Sequence, residues 1–146
     1  MKKQKVISAL PVIIIMAVIF FFSAQTGDES SKLSSRISDE VGKTGFFENA
    51  VYVVRKSAHF IIYTMLGFSV RFHMNFYKLS GKAKFLISLA VCFLYASSDE
   101  IHQLFVSGRS GQFSDVMLDT SGSLFGIIIL TVLFFIFGRK NKPQMH

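Results

Sequence analysis

The chain has 146 residues, of which 51% are hydrophobic and 17 are Phe, with a mean hydropathy of +0.46; it is too apolar for an ordinary soluble domain of this size. A net charge of +7 would suit a nucleic-acid binder, but the basic residues flank apolar runs instead of forming one patch, so nucleic acid is not an expected partner. The single cysteine, Cys92, lies within an apolar run, which excludes an intramolecular disulfide and reads as a small packing residue.

Lys2, Lys3 and Lys5 precede a first apolar run, and a membrane span is expected over about residues 6–24. It reads as retained and not as a cleaved leader, because the run is longer than a leader's and Phe22 would occupy a small-residue position before a cut after Ala24. Pro11 sits near its start, where a missing N–H is tolerated. From Gln25 to Asn49 the composition turns polar, with Leu33, Ile37 and Val41 recurring every fourth residue. That spacing predicts either a short amphipathic helix on the membrane surface, anchored by Phe46 and Phe47, or a polar loop.

A second span is expected over about 48–71. Arg55 and Arg71 are separated by about 24 Å of helix, whereas the hydrocarbon slab is about 30 Å thick, so both cannot lie outside it. With Arg71 at the inner face, Arg55, Lys56 and His59 are drawn beneath the outer one. The third span, about 84–105, repeats the pattern in the opposite direction and leaves Asp99 and Glu100 short of the outer surface. The fourth, about 116–138, ends in Arg139, Lys140 and Lys142 and places Asp119 near the outer boundary, with Asp115 one turn above.

Four spans with both termini cytoplasmic put Lys2, Lys3, Lys5, Arg71, Lys78, Lys82, Lys84, Arg139, Lys140 and Lys142 inside, a charge of +10. Every acidic residue then falls outside, with a balance of −3. The expected fold is thus an all-α integral membrane protein forming a single domain over residues 1–146, in the plasma membrane.

The stretch from Ser98 to Gly122 holds four carboxylates, a histidine and an arginine between two such spans. Ionisable groups at membrane depth are by default candidates for function. On helices, Arg55 and Lys56 share a face with His59 and Tyr63, Asp99 with His102 and Gln103, and Asp115 with Asp119. Arg55, Lys56 and Arg109 set against Asp99, Glu100, Asp115 and Asp119 leave about −1 with neutral histidines, which suggests mutual compensation around one pocket; Ser23 and Gln25 lie at the same depth. Interhelical polar contacts in lipid are worth about 0.6 kcal/mol, against about 2.5–3.5 kcal/mol to insert one charge at the bilayer centre, so adhesion alone is a poor reason for seven charges. Gly122 and Gly126 read as a close helix-packing face.

The pattern Arg55-Lys56-x-x-His59-x-x-x-Tyr63, Asp99-Glu100-x-x-Gln103, Gly108-Arg109, and Asp115-x-x-x-Asp119 with Gly122 resembles the VanZ-like family, which takes its name from a teicoplanin-resistance protein. Many relatives carry Pro before the Gly-Arg pair, where this chain has Ser107. The resemblance extends from about Phe22 to Gly126. It implies a small multi-pass protein of the bacterial plasma membrane, associated with lowered susceptibility to lipoglycopeptides such as teicoplanin.

Two functions are therefore weighed. The first is a binding module for a lipid headgroup or an amphiphilic ligand, either a lipoglycopeptide or a lipid-linked cell-wall precursor. Its ligand-binding residues would be Gln25, Arg55, Lys56, His59, Tyr63, Asp99, Glu100, His102, Gln103, Arg109, Asp115 and Asp119. The second is an enzyme acting on an envelope lipid, with His59 or His102 as acid or base oriented by Asp99 or Glu100; Ser57 is a conceivable nucleophile that no spacing singles out. The carboxylates and histidines would suit a hard cation, but Arg55, Lys56 and Arg109 can neutralise the same carboxylates, so no metal and no cofactor are expected.

Overall fold

A computed structural model of the chain describes residues 2–25, 50–109 and 111–140. The surface helix expected after Gln25 lies outside the described residues. The described elements are four helices: α1 (Lys2–Ser23), α2 (Ala50–His73), α3 (Gly81–Gln103) and α4 (Phe113–Lys140), with one 3-10 turn at Met74–Phe76. No strand occurs among the described residues.

Three helices are long and apolar enough to cross a membrane: α1, α3 and Phe113–Phe137 of α4. The second, 24 residues or about 36 Å, has the length but carries Arg55, Lys56 and Arg71. It packs against all three neighbours, chiefly α4. Lys56 pairs with Asp115 of α4. Arg71, 15 residues further along, donates from Nε to Thr131 Oγ1 at 3.2 Å and from Nη1 to Asn75 Oδ1 at 2.7 Å. These two ties lie 15 residues apart on α2 and 16 on α4, so the two helices run parallel and in register.

The contact between α2 and α4 is close because glycines line it. A Cβ added at Gly122 would stand 2.5 Å from the Phe60 carbonyl oxygen, one at Gly126 would strike the Thr64 carbonyl, and one at Gly67 would strike the Ser123 backbone. The predicted face of Gly122 and Gly126 is thus where the helices meet, with Gly67 as its counterpart on α2. Ser123 Oγ donates across the seam to the Tyr63 carbonyl at 3.1 Å. Backbones this near gain dispersion contacts that larger residues would hold apart.

The first helix lies against α2 and α3, with Tyr95 Oη donating to the Met16 carbonyl at 2.6 Å. At the end where α1 begins, Ser8 Oγ, which donates to the Lys5 carbonyl, lies 2.8 Å from His73 Nδ1, and Tyr77 Oη lies 3.2 Å from His73 Nε2. The Lys5 ammonium rests 4.2 Å above the Tyr77 ring. Ile19, Tyr63, Leu66, Val70, Cys92, Ala96 and Val116 form the packed apolar centre. Phe21, Leu94, Phe105 and Phe135 face outward, while Ser88, Asp119 and Ser123 are wholly buried. An apolar outer surface with polar groups kept to the interior is the arrangement suited to a lipid surrounding.

Helix boundaries differ from expectation at the functional end. The third helix stops at Gln103, and the fourth begins at Phe113, three residues before the expected start. Hydropathy marks the apolar part of a helix, whereas the polar first turn Phe113-Ser114-Asp115 is helical too, with an acid where the helix dipole favours one.

Candidate functional site

The C-terminal ends of α1 and α3 and the N-terminal ends of α2 and α4 meet at one end of the bundle, because the helices alternate in direction. There Arg55, Lys56, His59, Gly108, Arg109, Gln112, Asp115, Leu118 and Asp119 line a cavity of about 180 Å³. Six of the twelve sequence-predicted site residues thus share one wall system. Asp99, Glu100, Gln103 and Tyr63 lie buried.

Two charge contacts join α2 to α4. The Lys56 ammonium donates to Asp115, and both side chains are partly exposed. One helical turn deeper, His59 Nδ1 stands 3.4 Å from Asp119 Oδ1 and 3.5 Å from Oδ2, with the Asp119 side chain fully buried. Among the described residues these are the two ion-pair contacts. Ligand atoms of His59, Asp99 and Asp119 lie within 4.8 Å of one another, so three helices converge at this depth. The Tyr63 ring stacks nearly parallel to His59 at 6.5 Å, and its buried hydroxyl has no hydrogen-bond partner among the described residues. Asp119 Oδ1 likewise has no hydrogen-bond partner there.

A second polar system fixes the loop between α3 and α4. Gln103 Nε2 donates to Asp99 Oδ2 at 3.3 Å and Glu100 Oε1 at 3.2 Å, while Glu100 Oε2 accepts from the Gln112 backbone N–H at 2.9 Å. Arg109 donates from Nε to the Gln25 carbonyl at 3.0 Å, from Nη2 to the Phe22 carbonyl at 3.0 Å, and from Nη1 to Gln103 Oε1 at 3.3 Å. It therefore caps the carbonyl end of α1, a role cationic side chains fill well. Burial, and after it the nearby Arg55 charge, lowers the Arg109 pKa from its ordinary value. The loop needs glycine twice: Gly108 adopts φ 73°, and a Cβ at Gly111 would stand 2.5 Å from the Glu100 carbonyl oxygen.

Several residues play parts other than those the sequence suggested. Gln25 contributes its backbone carbonyl, not its side chain, to Arg109. His102 turns toward α1, its ring 4.7 Å from Phe20, with Nδ1 buried and without a hydrogen-bond partner among the described residues. The carboxylate facing His59 is Asp119, whereas Glu100 is engaged with Gln103 and the loop. Ser57 is exposed and does not line the cavity. Gln112, Leu118 and Gly108 were not read as site residues; the polar position Gln112, just ahead of a helix start, was the available signal for one of them.

The site combines cations at its mouth with a carboxylate and imidazole floor. Arg55 lines the cavity and makes no ion pair among the described residues, unlike Lys56, which is held by Asp115. Such a wall suits an oxygen-rich anion, and the floor can exchange a proton.

A family model described as VanZ/LLP1 matches residues 8–136. No curated protein and no solved structure gives a match.

Proposed function

The chain belongs to the VanZ/LLP1 family, and for this member we propose a four-span protein of the bacterial plasma membrane whose cavity opens outward and binds the anionic headgroup of a lipid or similar amphiphile. The single observation that carries this reading is Arg55, a cation on the wall of a polar cavity without a carboxylate of its own among the described residues. A phosphate or carboxylate entering the cavity would take the guanidinium, and the acyl part of the molecule would lie against the apolar outer faces of the helices. The outward orientation is supported by the charge distribution: Lys78, Lys82 and Lys84 occupy the end opposite the cavity, as cytoplasmic segments do.

The amphiphiles this reading admits include a membrane lipid, a lipid-linked wall precursor, and the membrane-inserted part of a lipoglycopeptide such as teicoplanin. Sequestering any of these is a route by which the protein would contribute to lipoglycopeptide resistance. The test is to identify by mass spectrometry the lipid that copurifies with wild type and with Arg55→Ala. Loss of one anionic class in the variant supports the proposal, and an unchanged profile counts against it.

One observation favours a second reading, an enzyme modifying an envelope lipid. The Asp119 carboxylate beside His59 Nδ1 would orient the imidazole as a general base. Cells producing wild type and His59→Ala would then differ in their lipid or lipid-linked precursor profile, and identical profiles would exclude catalysis by this group.

A further inference from the structure

The sequence gives a reason to expect no metal: the basic residues would neutralise the acidic ones. The structure removes that reason for two of the three cations. Lys56 is engaged with Asp115, and Arg109 spends its three donor nitrogens on two backbone carbonyls and Gln103. Among the described residues the ion-pair contact of Asp119 is the His59 imidazole, and Asp99 has none.

We propose that His59, Asp99 and Asp119 form a binding site for a divalent cation of the Zn²⁺ or Mn²⁺ kind, one turn beneath the Lys56–Asp115 pair. One imidazole nitrogen and two carboxylates are a donor set such ions take, leaving further positions for water or an anionic ligand. The separations fit. Bonds of about 2.0–2.1 Å to a tetrahedral ion put neighbouring donors about 3.4 Å apart, the distance already found between His59 Nδ1 and Asp119 Oδ1. The ligand atoms of the whole set lie within 4.8 Å of one another.

Two further observations point to an occupant. Asp119 Oδ1 is completely buried yet accepts no hydrogen bond among the described residues, and a carboxylate oxygen in that state is costly. The Tyr63 hydroxyl is also buried and has no hydrogen-bond partner among the described residues, on a ring stacked 6.5 Å from His59. A cation, or a water it carries, at this place would satisfy both.

The site does not depend on the headgroup reading. Arg55→Ala is expected to leave its metal content unchanged, so the two proposals fail separately. The test uses full-length protein in detergent, incubated with Zn²⁺ or Mn²⁺, desalted, and analysed for metal per chain by elemental mass spectrometry. Wild type is expected to retain about one equivalent, with Zn²⁺ held more tightly than Mn²⁺. Asp99→Asn and Asp119→Asn are expected to lower the affinity at least about tenfold, as loss of a ligand does, while Asp115→Asn retains the ion. Circular dichroism checks that each variant is folded. Should the Asp variants fail to fold, the absorption spectrum of Co²⁺-substituted wild type decides the matter, since a tetrahedral nitrogen and oxygen set gives intense visible bands that aqueous Co²⁺ lacks. Metal at background in wild type, a Co²⁺ spectrum identical to the aqueous ion, or equal loss in Asp115→Asn overturns the proposal; background metal would mean that a water fills the space.

Discussion

Arg109 Nη2 donates to the Phe22 carbonyl across 3.0 Å, tying the loop after α3 to the last turn of α1. Arg109 Nε holds the Gln25 carbonyl as well, while Gln103, Glu100 and Gln112 brace the loop itself. Arg109→Ala is expected to lower stability by about 1–3 kcal/mol, because three charge-assisted hydrogen bonds are lost in a partly buried setting. Arg109→Lys should recover little, since an ammonium cannot span three acceptors in a fixed fork. Thermal unfolding in detergent would read both.

The glycine seam makes an opposite pair of expectations. Gly126→Ala places a Cβ against the Thr64 carbonyl and should cost about 1–3 kcal/mol, with a lower melting temperature. Gly81→Ala, at a position with nothing within 4 Å of a new Cβ, should be neutral or slightly stabilising, because Ala favours helix. Equal effects of the two substitutions would mean that α2 and α4 do not meet where the glycines are.

The Lys56–Asp115 pair lends itself to a double-mutant cycle. Its side chains are 23% and 19% exposed, so screening is moderate. A coupling of about 0.5–1.5 kcal/mol between Lys56→Met and Asp115→Asn is expected from chemical or thermal unfolding. Zero coupling would mean that the pair adds nothing to the α2–α4 contact.

Topology is open to labelling from outside the cell. Ser107→Cys, exposed in the loop at the cavity end, should react with a membrane-impermeant maleimide in intact cells. Lys82→Cys, exposed at the other end, should react only after permeabilisation, and the buried native Cys92 should give no background. The reverse pattern would place the cavity in the cytoplasm.

Much of this arrangement could be read from the chain before any coordinates. Hydropathy marked three of the four described helices, and the charge-bearing one was placed by the counted length between Arg55 and Arg71; Arg55, Lys56 and His59 line one cavity with Asp115 and Asp119. What was not legible concerned direction about the helix axis and the reach of loops. His102 sits one turn from Asp99 in sequence, yet its ring turns to Phe20, which only the packing of α1 decides. Arg109 looked like a ligand-binding cation because its acceptors are main-chain carbonyls, which no residue type advertises. Gly67 pairs with Ser123 across the seam, and a lone glycine within an apolar helix gives no sign of its partner.

The central claim is that the cavity is a receptor for an anionic headgroup, with Arg55, which makes no ion pair among the described residues, as its cation. The most direct measurement is native mass spectrometry of the delipidated protein titrated with phosphatidylglycerol and with phosphatidylcholine, for wild type and Arg55→Glu. The account predicts that wild type binds one phosphatidylglycerol in preference to phosphatidylcholine, and that Arg55→Glu weakens this at least about tenfold, or about 1.4 kcal/mol. Equal binding of both lipids by both proteins would contradict it.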